Sequence, residues 1–242
     1  MNILKKIQEK EWSNELTVWI VSSLVLGFVL AIKVSWPKVS FEFLNFLYMF
    51  LLSLFIVFVF IASQKLVAWW LDCKTKTTLL SFRRFWFRTH DVMPFDFPAW
   101  LIFPLILVFA TNNIIKWLSI LSFEVEPKIT RVRRRWAEIT EGDMARIAIA
   151  GPASVLILGL ITRIVGFNDF ATLCVWFALI ALVPIGYGFK LLMSSRLLWF
   201  FAFIFTLAIF LLMYVTSTFI TIIIALLIAA LLTLAYYILY EK

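Results

Sequence analysis

The sequence predicts an all-α, polytopic transmembrane helical bundle, and three observations predict it. Of the 242 residues, 64% are hydrophobic and only 15% are charged, with a mean hydropathy of +1.01; a water-soluble domain needs more charge to cover its surface. The apolar residues fall in long runs separated by short basic stretches, and a run of about 20 apolar residues is what a helix needs to cross the hydrocarbon layer. Eleven Trp and six Tyr, many near the ends of these runs, suit rings seated at headgroup depth. The net charge of +8 fits Lys and Arg retained in cytoplasmic loops, so the expected partners are membrane lipids and not nucleic acid.

In chain order, residues 1–13 mix charge with Ile3, Leu4, Ile7 and Trp12, the pattern of a short interfacial helix. A first span follows from about Leu16 to Val34, closed by Lys33, Pro37 and Lys38; without a small-residue cleavage site it reads as retained. The second run, about Phe41 to Leu71, is long enough to cross the bilayer and extend past it. A basic stretch comes next, with Arg83, Arg84 and Arg88 among Phe82, Phe85, Trp86 and Phe87, and another holds Arg133, Arg134 and Arg135. These six arginines are the candidate lipid-headgroup residues.

Charge bias places both basic stretches inside, which one ordinary span between them cannot satisfy. Residues 97–123 are therefore expected to enter the membrane and return as a re-entrant element broken by Pro98 and Pro104, with a complete span as the alternative. Asn112 and Asn113 either turn that element or line a substrate path. Thr140, with Asp143 three residues on, caps a helix that continues as the span Met144 to Val165. Gly166 to Asp169 turns the chain into a span from Phe170 to Met193. Two more, Leu197 to Val215 and Phe219 to Tyr240, are joined by Thr216, Ser217 and Thr218. The sum is six crossings in one integral membrane domain: an N-terminal span (1–41), a core (42–196) and a C-terminal hairpin (197–242). Both termini are expected on the cytoplasmic side of the cytoplasmic membrane.

Residue chemistry excludes several classes of function. Cys73 and Cys174 have no ribbon or disulfide spacing. His90 is the sole histidine, set in a loop beside Asp91, whereas a catalytic zinc takes three protein ligands held together. No histidine inside a span can serve a serine as base, and no apolar run holds an Asp pair. Ion-coupled carriers place ionisable groups near the bilayer centre; here Lys116, Arg163 and Lys190 stand near predicted ends, where long side chains snorkel. No metal and no cofactor are expected.

Three stretches nonetheless carry a frame. Phe60, Ile61 and Gln64, followed by Lys65-Leu66-Val67-Ala68 and Cys73, resemble the zinc helix of site-2 intramembrane proteases, especially archaeal members, roughly His-Glu-x-x-His-Lys-Leu-Val-Ala with a later Gly-Cys. Ala150-Gly151-Pro152 is similar to that family's Ala-Gly-Pro-x-x-Asn helix, with Val155 at the Asn position. Its small residues permit close helix approach, and Pro152 frees a carbonyl one turn back. Pro184, Gly188 and Lys190 resemble the family segment bearing the Asp ligand, with Tyr187 just before the Gly.

The resemblance implies a site-2 protease-like core in which Phe60, Ile61, Gln64 and Tyr187 hold the positions of the family's site, and none of them is a zinc ligand. It implies a groove lined by Phe60, Gln64, Asn112, Asn113, Pro184, Gly186 and Gly188. The expected function is that of a pseudoprotease: no catalytic residue, and a groove that binds a partner transmembrane helix or membrane protein. Two other readings remain open. One is an active intramembrane protease whose site is unrecognised or has been engineered out; the other is a structural subunit or small transporter on an unrelated bundle, with Phe60 and Tyr187 far apart.

Overall fold

A backbone passing through hydrocarbon must satisfy its own hydrogen bonds, so the long apolar runs become helices. The structure is a computed structural model describing residues 2–35, 38–84, 92–128 and 139–240. It is mostly helical. Helix α1 runs Asn2–Ala31, α2 Phe43–Trp70, α3 Ala99–Ala110, α4 Glu141–Val165, α5 Asn168–Leu182, α6 Tyr187–Ser194, α7 Arg196–Leu212 and α8 Thr218–Tyr240. Among the described residues, α2, α4 and α8 are long and apolar enough to cross a membrane, and α5 with α6 makes a fourth if that bent pair is one span. Length and composition thus support three or four crossings. The described apolar part of α1, Glu15–Ala31, and α7 are shorter helices.

Strands correct the all-α expectation: β1 (Lys33–Ser35) pairs antiparallel with β2 (Lys38–Ser40), β3 (Cys73–Leu79) with β6 (Leu121–Pro127), and β4 (Phe82–Arg84) with β5 (Val92–Phe97). In β3, Cys73, Thr75 and Thr77 are buried while Lys74 and Lys76 are exposed, the period-2 alternation of a half-buried strand. The first helix is also longer than expected, continuous from Asn2, and Val34 belongs to β1.

The chain divides into two compact units, Met1–Phe58 with Lys76–Glu124, and Val59–Thr75 with Val125–Lys242. In the first, α1 and the start of α2 form an antiparallel hairpin: Trp19 Nε1 donates to the Leu54 carbonyl at 3.1 Å, and the Ser53 hydroxyl to the Ser23 carbonyl at 2.8 Å. Ser22, Ser23 and Ser53 are all buried, their hydroxyls absorbed by backbone carbonyls. Helix α3 leaves from the strand layer and the chain returns to it. Trp100 N–H donates to the Leu80 carbonyl, and Leu80 N–H to the Ile120 carbonyl, both at 2.9 Å. The reversal falls at Asn112 and Asn113, with φ of 53° and 68°; Asn tolerates that left-handed region better than most residues. The return, 115–120, is neither helix nor strand.

In the second unit α4 begins at the expected cap, where the Thr140 side chain accepts the Asp143 N–H, and ends at Gly166 with φ 99°. The expected span from Phe170 to Met193 is broken instead: α5 and α6 meet at 58° across Val183–Gly186. Helices α7 and α8 form the closing hairpin. The buried positions of α8 are Thr221, Ala225, Ala229 and Thr233, one every fourth residue, while Phe219, Ile223, Leu227 and Leu231 are exposed. Small residues inward and large apolar ones outward is the arrangement expected of helices in lipid, where water supplies no reason to hide leucine. Arg163, at the end of α4, donates to the carbonyls of Met213 and Thr216, the latter at 2.6 Å, and so holds the α7–α8 turn.

Candidate functional site

The three stretches that share the protease frame meet within the second unit. On α2, residues four apart lie on one face, and both Phe60 and Gln64 are buried, each 1% exposed. The Phe60 ring lies against Gly151 of α4 so closely that a Cβ there would stand 2.7 Å from its Cζ. Glycine is required here for close approach. Beside this contact the hydroxyls of Ser63 and Ser154 are 2.8 Å apart, and Ser63 Oγ is 3.2 Å from the Ala150 carbonyl. A glycine for the ring and a serine bridge next to it seat α2 on α4.

Phe60 is closed in on its other sides by aromatic edges. Its centroid is 5.6 Å from that of Phe177 on α5, with planes at 77°, and 5.0 Å from that of Tyr187 on α6, with planes at 64°. Edge-to-face pairs at such distances are favourable beyond the area they bury. Tyr187 is buried, and its hydroxyl donates to the Ala148 carbonyl at 2.7 Å. That carbonyl is the one an N–H at position 152 would take in an unbroken helix, and proline has none. The acceptor released by Pro152 on α4 is thus taken by the Tyr187 hydroxyl from α6. The freed carbonyl was legible from Pro152; its donor was not.

The break before Tyr187 is built tightly. Pro184 and Ile185 are exposed, whereas Gly188 is buried. A Cβ on Gly188 would meet the Val183 carbonyl oxygen and lie 2.5 Å from that of Leu182. Gly186 takes φ 79° and ψ −108°, a region that side chains disfavour. The Leu182 carbonyl, released at the end of α5, accepts from Trp199 Nε1 of α7 at 2.7 Å. The half-buried indole and the buried phenol are both spent on backbone carbonyls that broken helices leave over.

Of the expected site positions, Phe60, Gln64, Pro184, Gly186, Tyr187 and Gly188 all belong to this unit, and Phe60 and Tyr187 touch. Ile61 is half-buried on the same helix. Gln64 Nε2 is buried without a hydrogen-bond partner among the described residues. Asn112 and Asn113 belong to the other unit, at the turn after α3. Arg83 and Arg84 fall on β4; Arg88, Arg133, Arg134 and Arg135 lie outside the described residues, as do His90 and Asp91. Among the described residues no three His, Cys, Asp or Glu side chains come together as a metal site. Compared with protein-family models, curated proteins and solved structures, the chain matches none.

Proposed function

We propose that this chain is a catalytically inactive, site-2 protease-like protein of the cytoplasmic membrane that binds a partner transmembrane helix. The contact between Phe60 and Tyr187 carries the reading: their ring centroids are 5.0 Å apart, so the α2 frame meets the α5–α6 break. At that junction the frame's metal and acid/base positions hold Phe, Ile, Gln and Tyr, which pack or hydrogen-bond and cannot activate water as a catalytic zinc does. In this reading the chain crosses six times, residues 97–123 re-enter from the cytoplasmic side, both termini are cytoplasmic, and Arg83, Arg84, Arg88 and Arg133 to Arg135 meet headgroups. The out-and-back course of α3 supports the re-entrant assignment. In this reading the partner helix lies against the α2–α6 junction, where Ile61 is half-buried and Pro184 and Ile185 are exposed.

Photo-crosslinkers at Ile61 and Ile185, in cells making the full chain, test this. Both are expected to capture the same membrane protein, while Leu66 and Leu227, exposed on α2 and α8, are expected to capture lipid. Lipid alone at all four positions refutes the proposal.

A further inference from the structure

We propose that Tyr187 is the latch of a gate: α6 pivots on the Val183–Gly186 break, and its closed position covers Phe60 and Gln64. The inference rests on the reading of the preceding section and gives that site its regulation.

The geometry of the break carries it. Helices α5 and α6 are joined by four non-helical residues, and it is Gly186, at positive φ, and not the fixed φ of Pro184, that gives the link backbone freedom a continuous helix lacks. Side-chain hydrogen bonds tie both helices to their neighbours. Tyr187 Oη reaches the Ala148 carbonyl of α4, and Trp199 Nε1 reaches the Leu182 carbonyl of α5, each at 2.7 Å. One face of α6, with Tyr187, Gly188 and Leu191, is buried; Ile185, Phe189 and Met193 are exposed at a spacing of four residues.

What the closed position covers is specific. The Tyr187 ring lies edge-on against Phe60, and Gln64 follows one turn further along the same face of α2. A buried amide nitrogen without a partner is costly in a membrane interior. Gln64 is therefore better served when the gate opens and an incoming backbone carbonyl accepts from Nε2. The closed state keeps the Phe60 ring against the Tyr187 phenol, with the buried Gln64 one turn along the same face of α2; in this proposal opening presents both together.

Accessibility of a thiol at position 64 tests the gate without any partner present. Cys73 and Cys174 are replaced by Ala, Gln64→Cys is introduced, and the purified full chain in lipid nanodiscs is labelled with N-ethylmaleimide, with Leu66→Cys, on the exposed side of α2, as control. Tyr187→Phe keeps the ring and removes the hydroxyl; it is expected to speed labelling at 64 by about three- to tenfold, the range for one hydrogen bond within a membrane, and to leave 66 unchanged. Trp199→Phe removes the second bond and is expected to act in the same direction, which keeps the test standing if Tyr187→Phe does not fold. Unchanged rates at 64 in whichever of the two variants folds overturn the latch. Because no partner is in the assay, that failure is distinct from a failure of crosslinking at Ile61 and Ile185.

Discussion

Adding one methyl group at Gly151 tests the packing on which the functional reading stands. A Cβ at this position falls 2.7 Å from Phe60 Cζ and 2.8 Å from Cε2, against about 3.5–4.0 Å for carbon atoms at rest. The ring would have to retreat by roughly 1 Å, and Phe177 and Tyr187 already stand beside it. Overpacking of this kind costs about 1–3 kcal/mol. Phe60→Leu alone should also destabilise, because it forfeits two edge-to-face contacts of about 0.5–1.5 kcal/mol each and leaves a small void. The two changes together should be better than their sum, since leucine lacks the outer ring atoms that an alanine at 151 would strike. A favourable coupling of about 1–2 kcal/mol is expected. Reversible unfolding of the four proteins in bicelles, followed by tryptophan fluorescence, completes the cycle. Strict additivity, or a neutral Gly151→Ala, would refute the contact between α2 and α4 as described.

Two other outcomes follow from particular atoms. Gly188→Ala should lower the amount of folded protein in the membrane fraction, because in the closed position its Cβ would meet the backbone oxygens of Leu182 and Val183. Gly142→Ala has open space around its Cβ and serves as the neutral comparison. Under the proposed resemblance, the triple change Phe60→His, Gln64→His and Tyr187→Asp should bind about one equivalent of cobalt(II), read by its visible spectrum. The unaltered chain should carry no stoichiometric zinc, and one bound equivalent on elemental analysis would defeat the pseudoprotease proposal.

Much of the local structure was legible in the residues. Thr140 and Asp143 marked the start of α4 and Gly166 its end, because caps and left-handed turns are determined by neighbours in the chain. The extent of α2 follows closely from the apolar run. Strands β1 to β4 were missed because short segments bearing Lys, Thr and Arg read as loop composition, although the alternation Lys74, Thr75, Lys76, Thr77 carried the signal. The α5–α6 break was missed for another reason. An apolar run in a membrane protein has no polar face from which to read a period, so Pro184 and Gly186 registered as residues inside one span. At the candidate site, Phe60, Gln64 and Tyr187 could be singled out from their order along the chain, whereas Phe177 and Trp199 carried no signal apart from being aromatic.

By itself the sequence determined that this is a chain of long apolar helices punctuated by basic stretches, with particular caps and turns, because composition and short-range geometry decide those features. Only the tertiary structure decided which residues face inward. In lipid, large and small apolar side chains are equally soluble, so burial follows shape: Gly151 admits Phe60, Pro152 releases the carbonyl that Tyr187 takes, and the alanines of α8 turn inward while its leucines face out. Those matches join residues far apart along the chain, and no local pattern encodes them.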